Sequence, residues 1–148
     1  MTDIADRVLI RARPPYQAVI AMLSAAGLPV ADLGAQDLQH FFYAGSDGSP
    51  AGLVGLELYG CDALLRSLIV EQPQRARGLG SALVRHSEKY AASQGVRAIH
   101  LLTLTAEGFF ERLGYVRIER SKAPPAIAGT SEFATLCPES SAFMFKAL

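Results

Sequence analysis

An apolar strand that runs into a basic turn and then two closely spaced glycines narrows the folds open to this chain more than any other segment. Leu68-Ile69-Val70 ends the strand, a turn carries Arg75, Ala76 and Arg77, and Gly78-Leu79-Gly80-Ser81 opens a helix. Strand, turn and helix in that order belong to layered α/β architectures. A helix start also bares backbone N–H groups at the positive end of the helix dipole, which suits a phosphate or pyrophosphate. Gly78 and Gly80 remove side chains that would keep an anion away, while Arg75 and Arg77 add guanidinium charge. A dinucleotide fingerprint needs a third glycine, and a nucleotide-triphosphatase loop needs Gly-Lys-Ser/Thr; neither is present. From the residues alone, an anion cradle and a solvated basic turn both remain open.

The flanking pattern supplies the layers. Val8–Arg13 reads as a first strand ended by Pro14-Pro15, and Tyr16, Val19, Ile20 and Leu23 recur at helical spacing before Gly27 and Pro29. Leu38–Tyr43, Gly52–Tyr59 and Ala63–Val70 read as three strands joined by the turns Gly45–Pro50 and Gly60–Asp62, hence an antiparallel meander. Gly80–Gln94 carries Leu83, Ser87, Tyr90 and Ala91 on one helical face, and Gly95 stops it. Arg97–Thr103 is a strand, Ala106–Leu113 a short helix stopped by Gly114, Tyr115–Glu119 a strand and Ala142–Lys146 a last strand. Strand and helix alternating from Ala63 onward predicts parallel pairing across each helical crossover. The Pro/Ser/Thr-rich stretch Ser121–Ser141 is expected to be mostly loop with one short helix.

A length of 148 residues suits a single domain over residues 1–148, and with 50% hydrophobic and 19% charged residues it can bury a core. Fourteen Lys plus Arg balance fourteen Asp plus Glu, so no basic field attracts nucleic acid and the expected partner is a small molecule. Cys61 and Cys137 stand far apart, so neither a metal set nor a disulfide framework is expected. No signal arrangement opens the sequence, and no apolar run approaches the ~20 residues of a membrane span. The expected compartment is the cytoplasm, with no membrane partner.

Two blocks carry a family resemblance. Arg75-x-x-Gly78-x-Gly80 after a strand resembles the acetyl-CoA motif of the GNAT superfamily of N-acetyltransferases. Thr103-Leu-Thr-Ala106-Glu-Gly-Phe109-Phe110-Glu-Arg-Leu-Gly114-Tyr115 resembles that superfamily's later helix and turn, in the same order and at the same distance. The resemblance implies an α/β (α+β) single domain. Its mixed central sheet would have an antiparallel N-terminal meander, parallel strands splayed at the cofactor site, and helices on both faces. It also implies acetyl-CoA as co-substrate. Leu68, Ile69 and Val70 would present backbone to the pantetheine arm, and Arg75, Ala76, Arg77, Gly78, Leu79, Gly80 and Ser81 would hold the pyrophosphate. Thr103 and Phe110 would complete the cofactor-binding set. Superfamily members often pair, so a homodimer is one expected assembly.

Acyl transfer to an amine needs a deprotonated amine, a stabilised carbonyl oxygen and a proton for the leaving thiolate. The superfamily's usual proton donor is a tyrosine at the position of Phe110, and its asparagine position holds Thr103; both are departures. Tyr115 is expected to pack. Glu57, among Leu53, Val54, Leu56 and Leu58, is the candidate base, or the partner of Arg66 across the hairpin. Arg66 and Ser67 interrupt an apolar strand, and Arg66 could clamp a substrate oxyanion or pair with Glu57. His40, His86 and His100 fall on separate elements and are expected to be structural.

Leu53–Tyr59, Arg66-Ser67 and Thr130–Ser141 further resemble the small acetyltransferases of the arsenic-resistance subgroup. That resemblance implies a detoxifying acetyl transfer to an arsenical amino acid, with the Cys137 sulfur either an arsenic ligand or a buried structural thiol. The competing reading is a non-catalytic acyl-CoA-binding module or sensor, which Phe110 favours. Acetylation of a protein N-terminus fits the balanced charge less well.

Overall fold

The computed structural model describes residues 9–71 and 78–148. Strands β1 (Arg11–Ala12), β2 (Phe41–Gly45), β3 (Pro50–Tyr59), β4 (Asp62–Val70), β5 (Ala98–Thr103), β6 (Val116–Arg117) and β7 (Ala142–Ala147) form one sheet in the order β1-β2-β3-β4-β5-β7-β6. Only β4 and β5 run parallel; the other neighbours are antiparallel, which gives the mixed α/β sheet expected. The helices are α1 (Tyr16–Ala25), α2 (Leu79–Ser93), α3 (Glu107–Arg112) and α4 (Pro125–Ala128). None of them is long and apolar enough to cross a membrane.

The chain divides into two compact units, Met1–Leu56 with Ser67–Lys89, and Glu57–Arg66 with Tyr90–Leu148. The first is built on the meander. Phe41, Phe42 and Tyr43 of β2 oppose Gly55, Val54 and Leu53 of β3, and α1 adds Val19 and Leu23 to a core completed by Leu33 and Leu38. The expected strand Leu38–Tyr43 begins later than its apolar residues suggest. Residues Ala35–His40 form a 3₁₀ turn that lowers Leu38 into this core before β2 starts at Phe41. Asp37 Oδ2 accepts the Gly34 N–H at 2.7 Å at the start of that turn, using a short polar side chain as such residues do at helix entries.

Gly52 decides how closely α2 can lie on this unit. A Cβ there would meet Leu83 Cδ1 at 3.0 Å, Leu79 Cδ2 at 3.1 Å and the Ile69 carbonyl oxygen at 3.2 Å. The bare backbone of β3 therefore lets the first turns of α2 rest against it, with Leu79 and Leu83 buried at the contact.

In the second unit, Asp62, Ala63 and Leu64 of β4 pair in parallel with Ala98, Ile99 and His100 of β5. Parallel pairing does not recur across the next crossover. The six residues of β7 pair antiparallel with all six of β5, while β6 offers only two residues and takes the outer edge against β7. The longer ladder satisfies more backbone groups, so the last strand occupies the interior position.

The Pro/Ser/Thr-rich stretch is also more ordered than expected. It holds a 3₁₀ turn at Arg120–Lys122, the helix α4 and a π-helical turn at Glu132–Leu136. Pro125 starts α4 at a position where the missing N–H costs nothing. Thr130 Oγ1 accepts the Phe133 N–H at 3.3 Å, and the Cys137 N–H reaches the Glu132 carbonyl at 2.9 Å, which closes the wide turn. Ile127 of α4, fully buried, packs with Leu64 and Phe143 in this unit's core, joined by Phe133.

Gly52→Val should lower the unfolding free energy by about 1–3 kcal/mol, because the added methyls overpack the seat of α2. Denaturant unfolding measures this, and an unchanged midpoint would show that α2 does not rest on Gly52.

Candidate functional site

In the first unit, β4 continues through Ser67 to Val70, and Ser67 has φ of +60°. A left-handed residue other than glycine costs about 1–3 kcal/mol, and such strain gathers where a site requires it. Leu68, Ile69 and Val70 follow, half-buried, and the Glu71 N–H closes onto the Ala51 carbonyl at 2.8 Å. Arg75, Ala76 and Arg77 lie outside the described residues. The chain re-enters at Gly78 with φ of +83°, a conformation that favours glycine. The Gly78 carbonyl accepts the Ala82 N–H at 3.0 Å, closing the first turn of α2. Leu79 points into the core, whereas Gly80 and Ser81 are half-exposed. A 15-residue helix thus begins at Leu79, directly after Gly78, with the half-exposed Gly80 and Ser81 in its first turn.

The later block lies in the second unit. Thr103 Oγ1 accepts the Ala106 N–H at 3.0 Å, so this hydroxyl shapes the turn into α3. Phe110 is buried, with ring centroids 5.1 Å from Phe109 and 5.5 Å from Tyr115, both edge-on. Tyr115 is buried beneath the Lys146 ammonium, in keeping with a packing role.

The polar residues that interrupt the strands converge within the same unit. Arg66 Nη1 lies 2.7 Å from Glu57 Oε2, so the hairpin pairing that the sequence left open is formed. Arg66 Nη2 lies 3.0 Å from Glu132 Oε2. The Arg66 side chain has no exposed surface, Glu132 is 6% exposed and Glu57 23%. The Tyr59 hydroxyl donates to Glu57 Oε1, and the Cys137 thiol lies 3.7 Å from Glu132 Oε1. A buried cation without partners would cost several kcal/mol, and here two carboxylates supply them. Burial first, and the Glu132 charge next, push the Cys137 thiol up to about 12, against the opposing pull of Arg66 and Arg120. At neutral pH Cys137 is therefore a protonated donor.

Sequence reasoning brought Glu57 and Arg66 together but missed Glu132, Tyr59 and the thiol. The available signal was that a guanidinium inside an apolar strand calls for more than one acceptor. The histidines stay apart. Burial lowers His40, with Arg13 adding to it, and burial lowers His86, with Lys89 adding to it. His100 Nε2 lies 3.0 Å from Asp62 Oδ1.

An uncharacterized N-acetyltransferase of Chlorobaculum tepidum, CT2212, is 34% identical over 93 residues, which are 62% of this chain. The chain spans 59% of that relative's length. Among solved structures, N-acetylglutamate synthase from Neisseria gonorrhoeae, with coenzyme A and N-acetyl-glutamate, superposes with a TM-score of 0.78 at 17% identity over 95% of this chain; the chain covers 35% of that larger protein. Rv2747 from Mycobacterium tuberculosis, in complex with CoA and NLQ, gives a TM-score of 0.75 at 20% identity, with 95% and 99% of the two chains covered. At such identities the likeness is one of fold. The model of the acetyltransferase (GNAT) family matches residues 12–115, more than half of the sequence, and the chain belongs to that family.

Proposed function

We propose that this chain is one N-acetyltransferase domain that transfers the acetyl group of acetyl-CoA to the amine of a small molecule. The observation that carries the proposal is Gly78, at φ of +83°, leading directly into the first turn of α2. In this reading the N–H groups from Arg75 to Ser81 hold the pyrophosphate, and the backbone of Leu68, Ile69 and Val70 pairs with the pantetheine arm as an added strand would. Thr103 and Phe110 complete the cofactor-binding set that the family resemblance implies.

Bound acetyl-CoA supplies the thioester; its carbonyl carbon accepts the amine, and the carbon–sulfur bond breaks as the coenzyme leaves as thiolate. Glu57 takes the proton that the attacking nitrogen loses, directly or through a water. Arg66 and Ser67 support it, Arg66 by holding Glu57 and Ser67 by bending β4 at the reacting end. With Phe110 in place of a hydroxyl-bearing side chain, the thiolate takes its proton from water. That same Phe110, buried and packed on aromatic rings, favours the second reading, an acyl-CoA-binding sensor without turnover.

For the acceptor, the resemblance of Leu53–Tyr59, Arg66-Ser67 and Thr130–Ser141 to arsenic-resistance acetyltransferases supports an arsenical amino acid. The free thiols of Cys61 and Cys137 suit a reducing, cytoplasmic compartment, and a homodimer is the proposed assembly. A panel of L-glutamate, a phosphinic amino acid and an arsinic amino acid, followed by coenzyme A release, separates enzyme from sensor. Tight acetyl-CoA binding without turnover on any of them supports the sensor.

Gly80→Leu should abolish acetyl-CoA binding in calorimetry while the melting temperature is kept; unchanged affinity would move the pyrophosphate elsewhere. Glu57→Gln should lower kcat by about 100-fold or more and leave acetyl-CoA affinity unaltered. Full turnover at every pH would remove Glu57 as the base. Raising the Cys137 thiol from 9.0 to about 12 cuts its thiolate fraction at neutral pH about a thousandfold. Iodoacetamide should therefore label exposed Cys61 first, and rapid labelling of Cys137 would restore it as a candidate arsenic ligand.

A further inference from the structure

We propose that Glu132, reaching in from the C-terminal π-helical turn, is a positioning residue that acts through Arg66 to hold Glu57 open for proton transfer. The proposal rests on the reading of Glu57 as the base. A guanidinium facing a single carboxylate prefers the fork, in which two N–H groups take both carboxylate oxygens. Such a fork would occupy all of Glu57. Here Glu57 takes Nη1 at 2.7 Å through Oε2, while Glu132 takes Nη2 at 3.0 Å.

The guanidinium plane is thus stretched between two acids on different elements, and it meets Glu57 at one oxygen. The other, Oε1, accepts from the hydroxyl of exposed Tyr59. A hydroxyl can turn away or pass a hydrogen bond to a substrate group, which a second guanidinium N–H cannot do. Glu132 can hold this position because its own surroundings are fixed. It is buried, the turn carrying it is closed by the bond from the Cys137 N–H, and the protonated Cys137 thiol lies against Oε1. Phe133, the next residue, packs edge-on against Phe143 at 5.2 Å and under the Arg120 guanidinium at 5.2 Å. The tail therefore serves the reaction by setting where a buried cation points, without touching the substrate.

A double-mutant cycle in full-length protein tests this. It compares Glu132→Gln, Glu57→Gln and the pair, using acetyl-CoA and whichever amino acid of the panel turns over fastest. Glu132→Gln should lower kcat by about 10- to 100-fold with little change in the KM for acetyl-CoA, because the base is misplaced rather than removed. In the Glu57→Gln background it should lower kcat no further. Glu132→Asp, which keeps the charge, should recover part of the rate, and melting curves confirm that each variant is folded. Equal losses from Glu132→Gln in both backgrounds would reduce Glu132 to a structural anchor and overturn the proposal while leaving Glu57 as base. Unchanged kcat for Glu57→Gln, or no turnover on any acceptor, would remove the parent reading and this one with it.

Discussion

A guanidinium buried in the middle of a sheet sets the terms for the second unit of this protein. Arg66 has no exposed side-chain surface, so its charge must be met by acids that are themselves withdrawn from water. One comes from the neighbouring strand of the hairpin, as Glu57. The other is carried in from the far end of the sequence, as Glu132. Breaking such a buried pair by removing one partner costs about 3–5 kcal/mol, so the tail is bound to the sheet by charge as well as by Ile127 and Phe133. Net stabilisation is a separate matter, since an apolar cluster of the same volume would hold the tail equally well. What the ions add is direction. A hydrocarbon core fixes how deep a segment sits, whereas a planar cation with a carboxylate at each end fixes how it is turned.

The first unit solves a different problem, that of bringing a helix end close to a strand end. Gly52 removes the side chain that would hold α2 off β3, and Gly78 adopts a backbone that other residues avoid. Ser67 bears strain that glycine would have relieved. Ser67 follows directly on the buried Arg66, so the strained backbone and the buried charge are neighbours in β4.

How much of this could be read beforehand follows from the range of each interaction. Helices α1, α2 and α3 and strands β3, β4, β5 and β7 are set by local periodicity and by glycine stops, so they were legible. The 3₁₀ turn before β2 was not, because Leu38 looks the same in the sequence whether it is buried by a turn or by a strand. Nor was the sheet order at the β5 end. Alternating strand and helix predicts a crossover to a parallel neighbour, and only the relative lengths of β6 and β7 reveal which of them takes the inner place. The tail was obscured by composition: proline and serine suggest loop, while the wide turn depends on Thr130 and on a partner 66 residues away in sequence. On the site, Glu57 and Arg66 could be paired because a hairpin makes them neighbours. Glu132 could not, because nothing local ties it to either.

The interior position of β7 carries a consequence for how the molecule comes to be made. All six residues of β5 await Ala142–Ala147 for their antiparallel partner, and β6 has β7 as its ladder neighbour. During synthesis the N-terminal meander can form while the ribosome is still working, but the open flank of β5 stays bare until the final strand clears the exit tunnel. Over that interval an unpaired, largely apolar edge faces the cell, and chaperone capture or nascent-chain aggregation would act there. Loss of Ala142–Ala147 would remove an inner slat of the sheet, where a similar loss at a sheet margin would only trim it.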